Sequence, residues 1–296
     1  MTRPWWILGA GYTGTALARA LVAHGWAAEV TITRRDREAA RALGAALGVR
    51  GERADLADLA DRAGSAASAS GASSPPGAIA PGAIVVCTAP PGRDPAGEIA
   101  ALLAAAAHAS KLVYVSSTGV YGPGHGAWVD EQWPIAPVTE SGRARAAAEA
   151  ALAASPVPWV ALRAAGIYGP GRGLVERVRA GTYRVIGDGS SHVGRIHVDD
   201  LVAAIVAAGT SPVTGPINAA DDDPAPIGAV ADAVAARLGL PPPPRVPVAQ
   251  VSPEVAGMLT ADRRIANRRL RDELGVALRY PSWRDALEAE LAGATS

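Results

Sequence analysis

The stretch WWILGAGYTG, Trp5 to Gly14, constrains this chain more than any other. A short apolar run passes directly into Gly9, Gly11 and Gly14. It continues into TALARALVAHG, whose apolar residues recur at helical spacing. In a strand that turns this tightly into a helix, the first glycine makes the turn and the third lets helix and strand pack closely. The second lets the backbone approach a pyrophosphate. The helix N-terminus adds N–H donors and the positive end of a dipole. G-x-G-x-x-G alone is common, but here the strand precedes it and the helix follows it. The pattern predicts a dinucleotide site built on Gly9, Gly11, Tyr12, Thr13 and Gly14.

The rest of the first half repeats the alternation. EVTITRR, VRGERADL, GAIVVCTAPP, KLVYVSSTGVYG and WVALRAAGIYG read as strands. DREAARALGAALG, GEIAALLAAAAHAS and GRARAAAEAALAAS read as helices. Strands alternating with helices predict an α/β, Rossmann-type doubly wound parallel sheet. The expected division is a dinucleotide-binding domain over 1–165, with core elements returning near 195–222. A smaller C-terminal substrate lobe is expected over 166–296, interleaved with that core. The small-residue stretch Gly64 to Gly82 reads as a flexible surface loop.

The end of the second strand chooses the dinucleotide. A carboxylate there would accept from the ribose 2′-hydroxyl. The sequence gives Thr33, Arg34, Arg35 and Asp36, with Arg34 about 20 residues beyond Gly14. Two guanidiniums suit a 2′-phosphate through charge-assisted bonds, so NADP is expected in preference to NAD. The alternatives are solvated arginines and an Asp36 that turns inward.

Composition excludes several partners. A formal net charge of +0 argues against nucleic acid and anionic membrane surfaces. No apolar stretch approaches the length of a membrane span, and the opening MTRPWWILGAG does not read as a signal peptide. One cysteine, Cys87, permits no intrachain disulfide, which fits a cytoplasmic location. Clustered metal ligands are not seen, and DDDP at Asp221–Pro224 reads as a solvated loop. Lys111 is the only lysine among 28 basic residues.

Several further stretches, in one order, resemble the extended short-chain dehydrogenase/reductase superfamily of nucleotide-sugar epimerases and dehydratases. They are ADL at Ala54–Leu56, VYVSSTGVYG at Val113–Gly122, VDEQWPIAP, LRAAGIYGPG at Leu162–Gly171, GRIHVDDLVAAI at Gly194–Ile205, and INAADDDP. The resemblance implies cofactor contacts from Asp55, Leu56, Thr88, Ala89, Pro90, Ala165 and Ile167. It also permits a homodimer through the helices EIAALLAAAAHA and the one carrying Arg145.

Two departures mark this chain as atypical. Leu8 stands where the family opens its glycine motif. The Tyr-x-x-x-Lys pair of the family aligns with Ser141 and Arg145, in the frame set by Pro137 and Glu149. A serine hydroxyl is too weak an acid for the tyrosine's work. Arg145 keeps a positive charge and donors for a ribose, but its guanidinium does not shuttle protons. Lys111 begins the strand that ends at Ser117, roughly 16 Å of strand away, and is expected on the surface. Remaining proton-donor candidates are Ser117 and Tyr121, then Tyr168 and His125. His197 reads as a structural residue, with Asp199 and Asp200 capping the helix after it. Arg177, Arg179, Arg184 and Arg195 could meet a substrate phosphate or be solvated.

Two functions follow. One is an NADP-dependent oxidoreductase or epimerase-like enzyme on a small or nucleotide-linked substrate. The other is a dinucleotide-binding sensor that has lost turnover.

Overall fold

A computed structural model describes residues 3–56, 59 and 79–293. The low-complexity stretch from Gly64 lies outside the described residues up to position 78. Seven strands form one sheet: β1 Trp5–Leu8, β2 Val30–Arg34, β3 Arg50–Arg53, β4 Ile84–Cys87, β5 Lys111–Ser117, β7 Trp159–Ala164 and β12 Gly215–Ala219. Their order is β12-β7-β5-β4-β1-β2-β3. β1 pairs in parallel with β2 and with β4, and β2 with β3 and β4 with β5 are parallel too. The order reverses at β1, as in the expected doubly wound fold.

The strands are short and apolar because both faces are covered. All four residues of β1 and of β4 are buried. Trp6, Leu8, Val85, Cys87, Leu112 and Tyr114 pack with Leu102 and Leu152 in one cluster. Each fully buried leucine contributes about 1.5–3 kcal/mol of transfer free energy. The helices are α1 Tyr12–Ala23, α2 Arg37–Leu47, α3 Pro95–Ala105 and α4 Glu140–Ala153. Local signals set their ends. Asp36 caps α2 by accepting from Ala39 N at 2.7 Å, and Gly48 ends it at φ 68°. Asp94 caps α3 in the same way.

The chain divides into two compact units. The first comprises Met1–Ser116, Ala144–Leu162 and Val202–Pro216, and the second Ser117–Arg143, Arg163–Leu201 and Ile217–Ser296. The second unit contains short ladders. β8 Gly166–Tyr168 pairs with β11 Arg195–His197, and β6 Trp128–Val129 with β15 Arg264–Ile265. β9 Val185–Ile186 pairs with β14 Arg245–Val246, and β10 His192–Val193 with β13 Ala225–Pro226. Later helices are α5 Leu174–Arg179, α6 Val198–Thr210, α7 Ile227–Arg237, α8 Pro253–Leu259, α9 Arg268–Asp272 and α10 Trp283–Gly293. A second core cluster joins α5, α7 and α10 through Val178, Val230, Val234 and Leu287.

Three sequence expectations are corrected. Lys111 is buried, at 3% exposure, not on the surface. Its ammonium donates to Ser211 O at 3.3 Å and to Val213 O, tying β5 to the end of α6. Burial lowers its pKa. Asp200 does not cap α6. It accepts from Arg279 N at 2.6 Å and Tyr280 N at 3.0 Å, fixing a distant turn. Asp221 is not solvated: it is 2% exposed, and both its carboxyl oxygens lack a partner among the described residues.

Candidate active site

The glycine loop is built as a cradle. Gly9 has φ 91°, and a Cβ there would lie 2.8 Å from Ala89 N. A Cβ on Gly14 would lie 2.6 Å from Gly9 O. Gly11 N bonds Gly9 O at 2.7 Å, and Ala10 N bonds Thr33 O at 2.8 Å. Thr88 at the end of β4 donates its hydroxyl to Gly9 O at 2.5 Å, and Gly9 N reaches Thr33 Oγ1 at 3.4 Å. Gly11 stands at the N-cap of α1, and no side chain caps that helix. A helix start that no described side chain caps is what an anion site requires.

Arg34 is half-buried and folds back over this loop, with Nε donating to Ala10 O at 2.8 Å. Arg35 is exposed. Asp36 is spent on the α2 cap, so it does not turn inward. The structure thus brings Gly9, Gly11, Gly14, Thr33, Arg34, Thr88 and Ala89 together. Tyr12 and Thr13 open α1, and Thr13 is buried. Pro90 is exposed beside Ala89, Asp55 follows β3, and the Leu56 side chain lies in the core.

Arg145 belongs to the same unit. Its Nη1 donates to Val115 O, and the guanidinium lies 5.9 Å from the centroid of the Tyr114 ring. One turn later Glu149 accepts from Ser116 Oγ at 2.5 Å. These contacts lock α4 against the end of β5. Burial raises the Tyr114 pKa, so this phenol stays neutral.

In the second unit the proton-donor candidates have different surroundings. Ser141 Oγ donates to the Glu254 carboxylate of α8, which also accepts from Glu140 N at 2.9 Å. These bonds, led by the one from the Ser141 hydroxyl, hold Glu254 below the usual carboxylate range. Tyr121 is fully buried. Its hydroxyl donates to Asn218 Oδ1 at 2.7 Å and accepts from Arg163 Nη1 at 2.9 Å. Asn218 in turn takes its backbone N–H to Glu131 Oε1 at 2.8 Å. Tyr121 is a strut in this network. Ser117 is half-buried at the end of β5, and its Oγ accepts from Gly119 N at 3.0 Å. That geometry leaves the Ser117 O–H to donate.

His125 sits in an exposed loop at φ 49°. The Tyr168 hydroxyl is buried, and burial raises its pKa, with Asp221 and Asp200 adding to the shift. His197 accepts from Asp199 N at 3.1 Å, as a structural residue would. Ala165 N bonds Ala219 O at 2.9 Å. Ile167 and Arg195 line a cavity in this unit. Arg177, Arg179 and Arg184 are exposed, with Arg177 over the Tyr183 ring and Arg184 on Gly181 O and Tyr183 O.

Sequence reasoning missed Glu254 and the Arg163–Tyr121–Asn218–Glu131 network. Glu254 follows Ser252 and Pro253, a legible helix start, but nothing local tells which residue it meets. Among the described residues no cluster of His, Cys, Asp and Glu could hold a metal ion.

The profile of the NAD dependent epimerase/dehydratase family matches residues 5–220, and the chain belongs to that family. It is an extended short-chain dehydrogenase/reductase in which Ser141 and Arg145 stand in the Tyr and Lys frame. A functionally unknown conserved protein from Silicibacter pomeroyi DSS has a solved structure that is 33% identical over 100% of both chains, with a TM-score of 0.79. A human epimerase family protein, solved with NADPH, is 21% identical over 97% of this chain and 98% of its own, with a TM-score of 0.72. At that identity it speaks for the fold alone. A curated relative from Streptomyces sp, 3-diazoavenalumate denitrifying reductase, is 40% identical over 123 residues, which are 40% of each chain. Among the described residues no helix is long and apolar enough to cross a membrane.

Proposed function

We propose that the protein is an NADP-dependent reductase acting on a small or nucleotide-linked substrate, with a proton supplied by water through Ser117. The observation that carries the cofactor reading is Arg34, held over the glycine loop while Asp36 is engaged in a helix cap. A guanidinium at this place suits a 2′-phosphate. The reductase name of the Streptomyces relative, matched over 40% of this chain, fits a reductase.

When bound, the nicotinamide supplies hydride chemistry. The residues of this chain do the rest. The glycine loop and the uncapped start of α1 receive the pyrophosphate. Arg34, with Arg35 at the rim, receives the 2′-phosphate. Arg145 offers its remaining N–H donors to ribose hydroxyls. The Ser117 O–H hydrogen-bonds the substrate oxygen on which negative charge develops, and water delivers the proton. Tyr121, whose N–H bonds Thr118 O, keeps the Ser117 loop in shape.

A second reading, a dinucleotide-binding sensor without turnover, is favoured by the bond that ties Ser141 to Glu254. Titration with NADPH and NADH, followed by a screen of carbonyl and sugar-nucleotide substrates, separates the two. The reductase reading expects NADPH to bind more tightly and Ser117→Ala to lose turnover with unchanged cofactor binding. NADPH binding with no turnover on any substrate supports the sensor. Equal binding of the two dinucleotides removes the Arg34 argument.

A homodimer through α3 and α4 and a cytoplasmic location belong to the same proposal. Sedimentation of the purified chain tests the dimer.

A further inference from the structure

The second unit holds a partly open cavity of about 300 Å³, at the small end of ligand pockets. β8 and β11 pair in parallel, with Arg195 opposite Gly166 and His197 opposite Tyr168. Alternate residues of a strand share a face, so Arg195 and Tyr168 project to the same side. Gly166 has no side chain to fill the space between them. Val230 and Val234 of α7 and Trp283 of α10 complete the wall.

Much of this lining is apolar, yet it holds unspent donors. Tyr168 Oη and Trp283 Nε1 are buried, and neither has a partner among the described protein groups. Buried donors in proteins are nearly always paired. Arg195 gives one N–H to Val193 O at 2.7 Å. The carboxyl that acts on it most is Asp221. Burial pushes the Asp221 pKa up to about 8, which weakens its hold on the guanidinium. The acid that lines the cavity, Glu290, is itself pushed up by burial and by Glu176. It lies roughly 10 Å along α10 from Trp283, which separates it from the donors.

We propose that this cavity binds a small organic acid, its apolar body against α7 and α10 and its carboxylate received by Arg195, Tyr168 Oη and Trp283 Nε1. A guanidinium fork with two neutral donors matches the lone pairs of one carboxylate. Arg172 and Arg177 also line the cavity, and their charge favours an acid over its uncharged amide.

The test uses the full chain without added dinucleotide, so it stands or falls apart from the cofactor reading. The probes are 3-phenylpropanoate and its uncharged amide, titrated by calorimetry at neutral pH. The acid is expected to bind at least about tenfold more tightly than the amide. Arg195→Gln is expected to erase that preference. Because removing a buried cation can unfold the lobe, Val234→Phe, which fills the cavity from α7, is measured alongside. It is expected to abolish binding of both probes while circular dichroism stays unchanged. Equal binding of acid and amide overturns the proposal. So does binding that survives Val234→Phe in a folded protein. Heat from neither probe at millimolar concentration also overturns it and assigns the cavity to water.

Discussion

The starts of α1 and α4 are both helix N-termini, and they are finished in opposite ways. At α1 the N-cap is Gly11, no side chain caps the helix, and Gly9 and Gly14 leave room that a Cβ would fill. At α4 the protein supplies its own anion. Glu254 accepts from Glu140 N, from Ser141 N at 3.4 Å and from the Ser141 hydroxyl. Thr139 Oγ1 takes Gly142 N at 3.0 Å. An N-terminus left open invites a phosphate, whereas one already given a carboxylate has no vacancy for further chemistry. The start of α1 is thus left uncapped by side chains, and the start of α4 is closed by the Glu254 carboxylate.

The comparison breaks most visibly at Gly14. A Cβ there would meet Gly9 O and also the Thr88 hydroxyl, at 2.9 Å. Gly14→Val should therefore push the loop off the end of β4. The expected result is loss of NADPH binding by more than about 100-fold, read by fluorescence titration. Binding within threefold of the original would mean that the loop is not the cradle. Arg34→Ala is the next largest change. NADPH should weaken by roughly tenfold or more while NADH changes little, since only the former carries the 2′-phosphate. Parallel weakening of both would reduce Arg34 to a brace for Ala10 O.

What was legible in the sequence was local. The glycine spacing and the alternation of apolar strands with helices each act within a few residues, and the fold followed from them. Arg34 was legible because its distance from Gly14 is set by one strand and one helix. What escaped was set by contacts distant in sequence. Lys111 was expected outside because it opens a strand, yet the chain end after α6 folds over it. Asp200 and Asp221 read as a cap and a solvated loop, yet Asp200 is held by the backbone of Arg279 and Tyr280 and Asp221 is buried with its N–H on Arg195 O. Glu254 lies 113 residues from Ser141. No periodicity reports such a pairing.

Glu254→Ala sharpens the comparison from the α4 side. Removing the carboxylate strips the cap from Glu140 N and Ser141 N, at an expected cost of about 1 kcal/mol. The folded pKa of Glu254 is lowered from its ordinary 4.5. Its contribution is therefore full above that value and is lost as pH falls through the lower, folded one. Thermal melts of the two proteins should differ at neutral pH and converge in acid. A constant gap across that range would show that the carboxylate acts by packing and not as an ionised cap.

The smallest expected effect is the most diagnostic for mechanism. Ser141 occupies the frame of the family's tyrosine, so a catalytic serine there would lose about 10²–10⁴-fold in rate on conversion to alanine. The geometry argues otherwise, because its hydroxyl proton is committed to Glu254, an acceptor whose charge that bond helps to keep. Ser141→Ala should lower stability by a few tenths of a kcal/mol to about 1 kcal/mol. It should leave turnover within about twofold of the original. Ser117→Ala, measured with the same substrate, should remove most of the rate with NADPH binding intact. If the two variants exchange places, the serine at α4 has inherited the role of the missing tyrosine, and Glu254 is then the base that makes so weak an acid serviceable.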